Sequence, residues 1–254
     1  MSDPFRLDGR VALITGGSRG IGLAIAEEMA RAGARGVVLA ARTPETLEAA
    51  RESVVTAGAA CLGVAADITA EADVDALVAR AIDEFGQIDI LVNNAGGSNY
   101  KAPLQKLRPD GWRRTLEVNL VGAYLVTRAV LNSWTEPAPG RSIVSVGSTS
   151  SLRGWAGLSH YSAAKHGLVG MTRTLAREVA ADGIRVNLVC PHLVETPLTA
   201  IYQSGEAYDE TVAEIPMRRW GTLDEVARVV RFVASDAASY MTGTVIPVDG
   251  GWDS

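Results

Sequence analysis

Val11 to Glu28 reads VALITGGSRGIGLAIAEE, and this stretch decides the fold. VALIT (11–15) is a continuous apolar run, not an alternating one, as expected of a strand covered on both faces. It breaks directly into TGGSRGIG (15–22), after which Ile21, Ala24, Ile25 and Glu28 recur at helical spacing. A strand, a glycine-rich turn and a helix therefore follow one another without a linker.

The same unit repeats outward from this point. GVVLAA (36–41), CLGVAAD (61–67), IDILVNNA (88–95), SIVSVGS (142–148), IRVNLVCP (184–191) and TVIPVDG (244–250) read as further buried strands. Amphipathic patterns lie between them, such as the stripe Val74, Leu77, Val78, Ala81, Ile82 and Phe85. Thr43-Pro44-Glu45 has the form of a helix start with a hydroxyl cap, Thr222-Leu223-Asp224-Glu225 fits a capping box, and Gly183 suits a left-handed helix stop. This alternation predicts an α/β fold: one doubly wound, Rossmann-type domain over residues 1–254, with a seven-stranded parallel sheet and helices on both faces. No composition break marks a second domain.

Glycines 16, 20 and 22 permit a tight turn and the close approach of a pyrophosphate to the backbone at the positive end of a helix. The spacing is G-x-x-x-G-x-G, and its place between strand and helix is the context a dinucleotide site requires. The end of the second strand selects the dinucleotide. An acid there would hold a ribose 2′-hydroxyl. Here Ala41 takes that place and Arg42 follows, a planar fork of donors suited to a 2′-phosphate, with Arg19 as a second positive charge. The expected cofactor is NADP(H).

A formal charge of −5 and the lack of basic runs argue against nucleic acid or an anionic membrane as partner. No apolar run approaches the roughly 18 residues of a membrane helix, and MSDPFRLDGR lacks the core of a signal peptide. Cys61 and Cys190, both in apolar strand-like runs, are expected as reduced, buried thiols of a cytoplasmic protein. No His/Cys cluster suggests a metal.

HYSAAKHG (160–167) sets Tyr161 and Lys165 four residues apart, on one helix face and able to enter one cleft. A neighbouring ammonium favours phenolate, so Lys165 is expected to lower the Tyr161 pKa from its usual value near ~10. His160 and His166 read as surface or helix-packing residues.

With Thr15 to Gly22, Asp67, Asn93-Asn94-Ala95-Gly96, Asn119, Ser148, Tyr161, Lys165 and YMTGTVIPVDGG (240–251) in order, the chain resembles the short-chain dehydrogenase/reductase family over nearly its full length. The likeness is to the group that includes 3-oxoacyl-carrier-protein reductases. It implies that Asn119, Ser148, Tyr161 and Lys165 are catalytic: Tyr161 as proton donor to a carbonyl oxygen, Ser148 as its polariser, Lys165 tuning Tyr161 and binding the nicotinamide ribose, and Asn119 holding a water that links Lys165 to solvent. It further implies a cofactor site of Gly16, Ser18, Arg19, Gly20, Ile21, Gly22, Arg42, Asp67, Ile68, Asn94, Ala95, Gly96, Tyr161, Lys165, Pro191 and Thr196. Asp67 would meet the adenine edge and Thr196 the nicotinamide amide. One departure stands out: the family's Pro-Gly after the sixth strand is Pro191-His192 here, and the histidine can crowd the nicotinamide, line the substrate pocket or face solvent.

In the family, the segment corresponding to about 194–220 covers the substrate; in it Ile201, Tyr202, Tyr208 and Met217 are candidates for an apolar wall, with GGSNYKAPLQ (96–105) opposite. Neither side carries a basic cluster, which fits a small ketone, a β-ketoacyl thioester or a cyclic ketone. The long apolar helices expected at 119–134 and 161–181 imply, by resemblance, a homotetramer. The alternatives are an NAD-linked alcohol or sugar dehydrogenase, disfavoured by Arg42, and a non-catalytic dinucleotide sensor, disfavoured by the retained Ser148, Tyr161 and Lys165.

Overall fold

The computed structural model describes residues 3–98, 100–138, 140–196 and 204–253. Seven strands form one parallel sheet: β1 (Val11–Thr15), β2 (Gly36–Ala41), β3 (Ala60–Ala65), β4 (Ile90–Asn93), β5 (Ser142–Val146), β6 (Arg185–Pro191) and β7 (Val245–Val248). Their order is β3-β2-β1-β4-β5-β6-β7. The chain thus winds outward from β1 in one direction and returns to its other side with β4. A crevice opens at this reversal, at the carboxyl ends of the strands.

Period-two alternation sorts each strand's side chains between two cores. Ala12, Ile14, Val37, Leu39, Ile90, Val92 and Val144 face one, packed with α1 (Gly20–Arg31), α2 (Pro44–Ala57) and α8 (Leu223–Ala234). Val11, Leu13, Val38, Leu91 and Ile143 face the other, packed with α3 (Glu71–Phe85), α5 (Gly122–Ser133) and α6 (Ser159–Val179). Both strand faces are covered, which is why the strands read as unbroken apolar runs. Burying one such Leu or Ile contributes about 1.5–3 kcal/mol, so the central strands hold the carboxyl edge rigid.

Two of the predicted helix signals appear as expected. The Thr222 side chain accepts from Glu225 N while the Glu225 carboxylate accepts from Thr222 N. Gly183 stands at φ +77 where α6 and its closing 3-10 turn end. Thr43 does not cap α2 with its hydroxyl; the Thr46 hydroxyl instead donates to Thr43 O at 2.9 Å, and Pro44 starts the helix by its fixed φ. Cys61 is only half-buried, because β3 is the sheet's edge, whereas Cys190 is buried; both thiols are free.

The helix expected from residue 119 begins earlier and is not uniform. α4 (Pro109–Leu116) runs through a π-turn at Glu117–Val121 into α5. There Gly122 N reaches Glu117 O, five residues back, so the regular ladder is widened by one residue. Among the described residues, no helix is long and apolar enough to cross a membrane, and no cluster of His, Cys, Asp and Glu could hold a metal ion.

Candidate active site

Six of the seven strands deliver a site candidate just past the carboxyl end: Gly16 after β1, Arg42 after β2, Asp67 after β3, Asn94 after β4, Ser148 after β5, His192 after β6.

The glycine turn is built by close backbone approach. Gly16 has φ +64, and a Cβ there would lie 2.9 Å from Ala95 Cα. A Cβ on Gly22 would overlap Gly16 O. The Thr15 hydroxyl accepts from Asn94 N and Ala95 N at 3.1 Å each, and Asn94 Nδ2 donates to Thr15 O at 3.0 Å and Gly16 O at 3.1 Å. β1 and β4 are thereby locked at the reversal. Arg19, the residue before α1, makes no side-chain cap bond, so the helix presents its first N–H groups with Ser18, Gly20 and Ile21 around them. Orphan amides at a positive helix end suit an anion.

Arg42 is exposed past β2, and Arg19 is exposed in the glycine turn. Asp67 is drawn into a turn: its Oδ1 accepts from Thr69 N at 3.0 Å and Thr69 Oγ1 at 2.7 Å, and these bonds hold the carboxyl below its usual pKa, with Arg114 3.6 Å away adding to the effect. Ile68 is buried against Gly122.

Asn119 is buried at the π-turn. Its Nδ2 donates to Thr115 O at 2.9 Å and Gly97 O at 3.0 Å, and its Oδ1 accepts from Gly97 N at 2.8 Å. The side chain thus occupies a carbonyl one turn back and pins the loop after β4. Gly96 lies between Asn119 and Lys165; a Cβ on it would stand 2.5 Å from Asn119 Oδ1 and 3.5 Å from Lys165 Nζ.

Ser148 caps the 3-10 turn Thr149–Ser151: its Oγ accepts from Ser150 N at 3.1 Å, and Ser151 Oγ accepts from Ser148 N at 3.2 Å. The Ser148 hydroxyl stands near enough to the Tyr161 phenol to favour its ionised form. Tyr161 and Lys165 share one face of α6 as expected, with Nζ 5.6 Å from the centre of the tyrosine ring.

The expected lowering of the Tyr161 pKa by Lys165 is absent. Burial pushes the phenol up to about 12, eased by Ser148. The Lys165 ammonium is turned instead to Val146 O, to which it donates at 2.9 Å, and burial brings it down to about 8. One of the three ammonium protons has this acceptor.

Thr196 and Pro191 lie on the segment leaving β6, where Val194 bridges to Gly221. Ile201 and Tyr202 fall outside the described residues. In α7 (Glu206–Glu214), Tyr208 packs its ring 5.1 Å from that of Trp220 and so supports the segment's own fold, while Met217 is exposed.

Two histidines take one of the places the sequence left open for each. His160 is fully buried, stacked 4.5 Å from Tyr100. The single Ser98 hydroxyl proton goes to Tyr100 O, so Ser98 Oγ accepts from His160 Nε2–H at 3.2 Å. This fastens the loop after β4 onto the start of α6. His192 does not point to solvent: its Nδ1 lies 3.0 Å from Thr149 Oγ1 and its ring stacks on Trp155 and Trp252. The two tryptophans were missed in the sequence, where they stand 97 residues apart and each lies just outside a motif rather than in it.

A glycine turn at the reversal of a parallel sheet, beside half-buried Ser148 and Tyr161 and buried Lys165, defines a nicotinamide-dinucleotide oxidoreductase acting on alcohol and ketone groups. A family model described as enoyl-(acyl carrier protein) reductase matches residues 16–253. The chain belongs to the short-chain dehydrogenase/reductase family. It is 39% identical to the 3-oxoacyl-(acyl-carrier-protein) reductase FabG of Vibrio cholerae, over 96% of this chain and 98% of that one. It is 40% identical to cis-4-hydroxycyclohexanecarboxylate dehydrogenase of Sinomonas cyclohexanicum, over 96% of each. Among solved structures, the RhlG/NADP active-site complex of Pseudomonas aeruginosa superposes with a TM-score of 0.91 at 33% identity, over 99% of each chain.

Proposed function

We propose that the protein reduces a small-molecule ketone to a secondary alcohol with NADPH, reversibly, with residues 1–254 acting as one domain and 194–220 covering the substrate. The convergence of Ser148, Tyr161 and Lys165 at the mouth of the glycine-lined crevice carries this reading. The dinucleotide, when bound, supplies the hydride or takes it up.

The residues present fit such a group: uncapped amides at α1, a crevice floored by Gly16, Gly22, Asn94, Ala95 and Gly96, and a buried ammonium with protons to give. Lys165 would bind ribose hydroxyls, Asp67 and Ile68 flank the adenine, and Pro191 and Thr196 border the nicotinamide. Arg42, with Arg19, would clamp the 2′-phosphate. The absence of an acid at Ala41 and the NADP in the Pseudomonas relative support NADP(H) over NAD(H).

Reduction needs a protonated acid, and a phenol near 12 keeps its proton at neutral pH. Tyr161 O–H donates it to the carbonyl oxygen. Ser148 Oγ, which already accepts from Ser150 N, directs its own proton to the same oxygen and polarises the bond. Asn119 has one Oδ1 lone pair left beside Lys165, a seat for a water that resupplies the proton. A homotetramer is supported by the partly exposed apolar groove between α5 and α6, lined by Tyr124, Leu131 and Met171. Two free thiols fit a cytoplasmic setting.

The test is NADPH and NADH oxidation against a ketone panel that includes a β-ketoacyl thioester and a cyclic diketone. Turnover preferring NADPH is expected. Tight NADPH binding with no turnover anywhere on the panel would overturn the reading in favour of a dinucleotide sensor.

A further inference from the structure

His192 stands where the family resemblance leads one to expect glycine, and its side chain is built into the site. Its ring centre lies 4.6 Å from that of Trp252 at 17° between planes, and 5.6 Å from that of Trp155 at 26°. The two indoles lie 5.0 Å apart at 10°. Three rings stacked as a sandwich would put the outer pair about 7 Å apart, twice the van der Waals spacing. No pair here exceeds 5.6 Å, so the three rings form one compact cluster of offset-stacked planes. Three separate segments meet in it: the loop between Ser148 and Tyr161, the end of β6, and the end of β7.

The surface adjoins the reacting groups. His192 Nδ1 is 3.0 Å from the hydroxyl of Thr149, the residue next to Ser148. All three rings are only half-buried, so part of each remains accessible. Burial brings the His192 imidazole down to about 4, so it carries no charge at neutral pH. Arg153, the cation beside the surface, is committed: it pairs with Asp253 and lies 5.5 Å over the Trp252 ring.

We infer that Trp155, His192 and Trp252 form the recognition surface for a compact, ring-bearing ketone, with His192 as its specificity-determining residue. A rigid aromatic surface gives a ring large contact area while ordering few rotors. A linear acyl thioester would have to freeze several rotors on the same surface, and Arg153, the cation over Trp252, is already paired with Asp253. The inference rests on the carbonyl-reductase reading and narrows it to one substrate class.

The test compares cyclohexane-1,2-dione with acetoacetyl-coenzyme A in the wild type, in His192→Gly and in Trp155→Leu. Each substitution is expected to lower kcat/KM for the dione by about 10- to 100-fold, the range of a lost binding hot spot. For the thioester, kcat/KM should change by less than about 3-fold, within the range of an energetically neutral contact. NADPH affinity should hold. Equal losses on both substrates would show a merely structural role and overturn the inference, as would an unchanged dione rate. A second readout is independent of turnover: saturable quenching of tryptophan fluorescence by the dione in the presence of NADP+. If the wild type reduces neither substrate, the reductase reading fails. Quenching that is lost in His192→Gly would still support the recognition surface, and no quenching would overturn it.

Discussion

The cofactor end and the substrate end of the crevice are built by opposite means. The first is main chain: Gly16 and Gly22 let backbone pass against backbone, and Thr15 and Asn94 lock β1 to β4. The second is side chain: two indoles and an imidazole stack in one cluster, and Tyr208 leans on Trp220. A dinucleotide does not change, so its site can rest on a conformation that only glycine adopts. A substrate site assembled from side chains can be remade without disturbing a strand.

The contrast sets out what should break and by how much. Tyr161→Phe removes the proposed proton donor and leaves the ring's packing. It should lower kcat by at least about 10³-fold, towards the upper range for general-acid catalysis. Isothermal titration with NADPH should show little change in Kd. A Cβ on Gly22 would overlap Gly16 O, so Gly22→Ala should spoil the turn itself. It should weaken NADPH and NADH alike by about 100-fold, or about 2.7 kcal/mol. If it spared cofactor affinity, the claim of a backbone-built site would fail.

Arg42→Ala sharpens the comparison, because Arg42 is an exposed side chain proposed, with Arg19, to hold the 2′-phosphate. It should raise the NADPH Kd about 10- to 100-fold, the worth of a charge-assisted bond of about 1.5–3 kcal/mol, and leave the NADH Kd alone. Equal losses would remove the 2′-phosphate assignment.

The smallest effect lies outside both ends. Thr222→Ala should cost about 1 kcal/mol of stability by urea unfolding, since it deletes the α8 cap. The same cap has an acid limb. Bonds from Arg219 and then Thr222 hold the Glu225 carboxyl down to about 2, against an ordinary 4.5. A lowered carboxylate stabilises the fold above its unfolded pKa, and that share is lost as pH falls from about 4.5 towards 2. Unfolding midpoints should therefore differ less between wild type and Glu225→Gln near pH 3 than at pH 7.

Strand positions were legible because burial on both faces leaves unbroken apolar runs; β1 and β2 fall where VALIT and GVVLAA place them. Ser148, Tyr161 and Lys165 were legible because their spacing survives as shared geometry at β5 and α6. What stayed hidden depends on distance in the chain. Trp155, His192 and Trp252 are far apart in sequence, and only the sheet's carboxyl edge brings them together. The Tyr161 pKa was misread for a related reason: spacing put an ammonium nearby, but burial outweighed it and Val146 O took one of its protons. Thr43 had the right residue type for a cap, yet α2 begins without its hydroxyl.

The widened turn at Glu117–Val121 amounts to one extra residue carried inside an otherwise regular helix from Pro109 to Ser133. Deleting one residue there would mend the ladder and, in propensity alone, improve the helix. It would also swing everything before it by about 100° about the axis. Asn119 would lose its alignment with Thr115 O and Gly97, and the loop after β4 would come adrift. Along this helix, a shorter and more regular chain would be the damaged one.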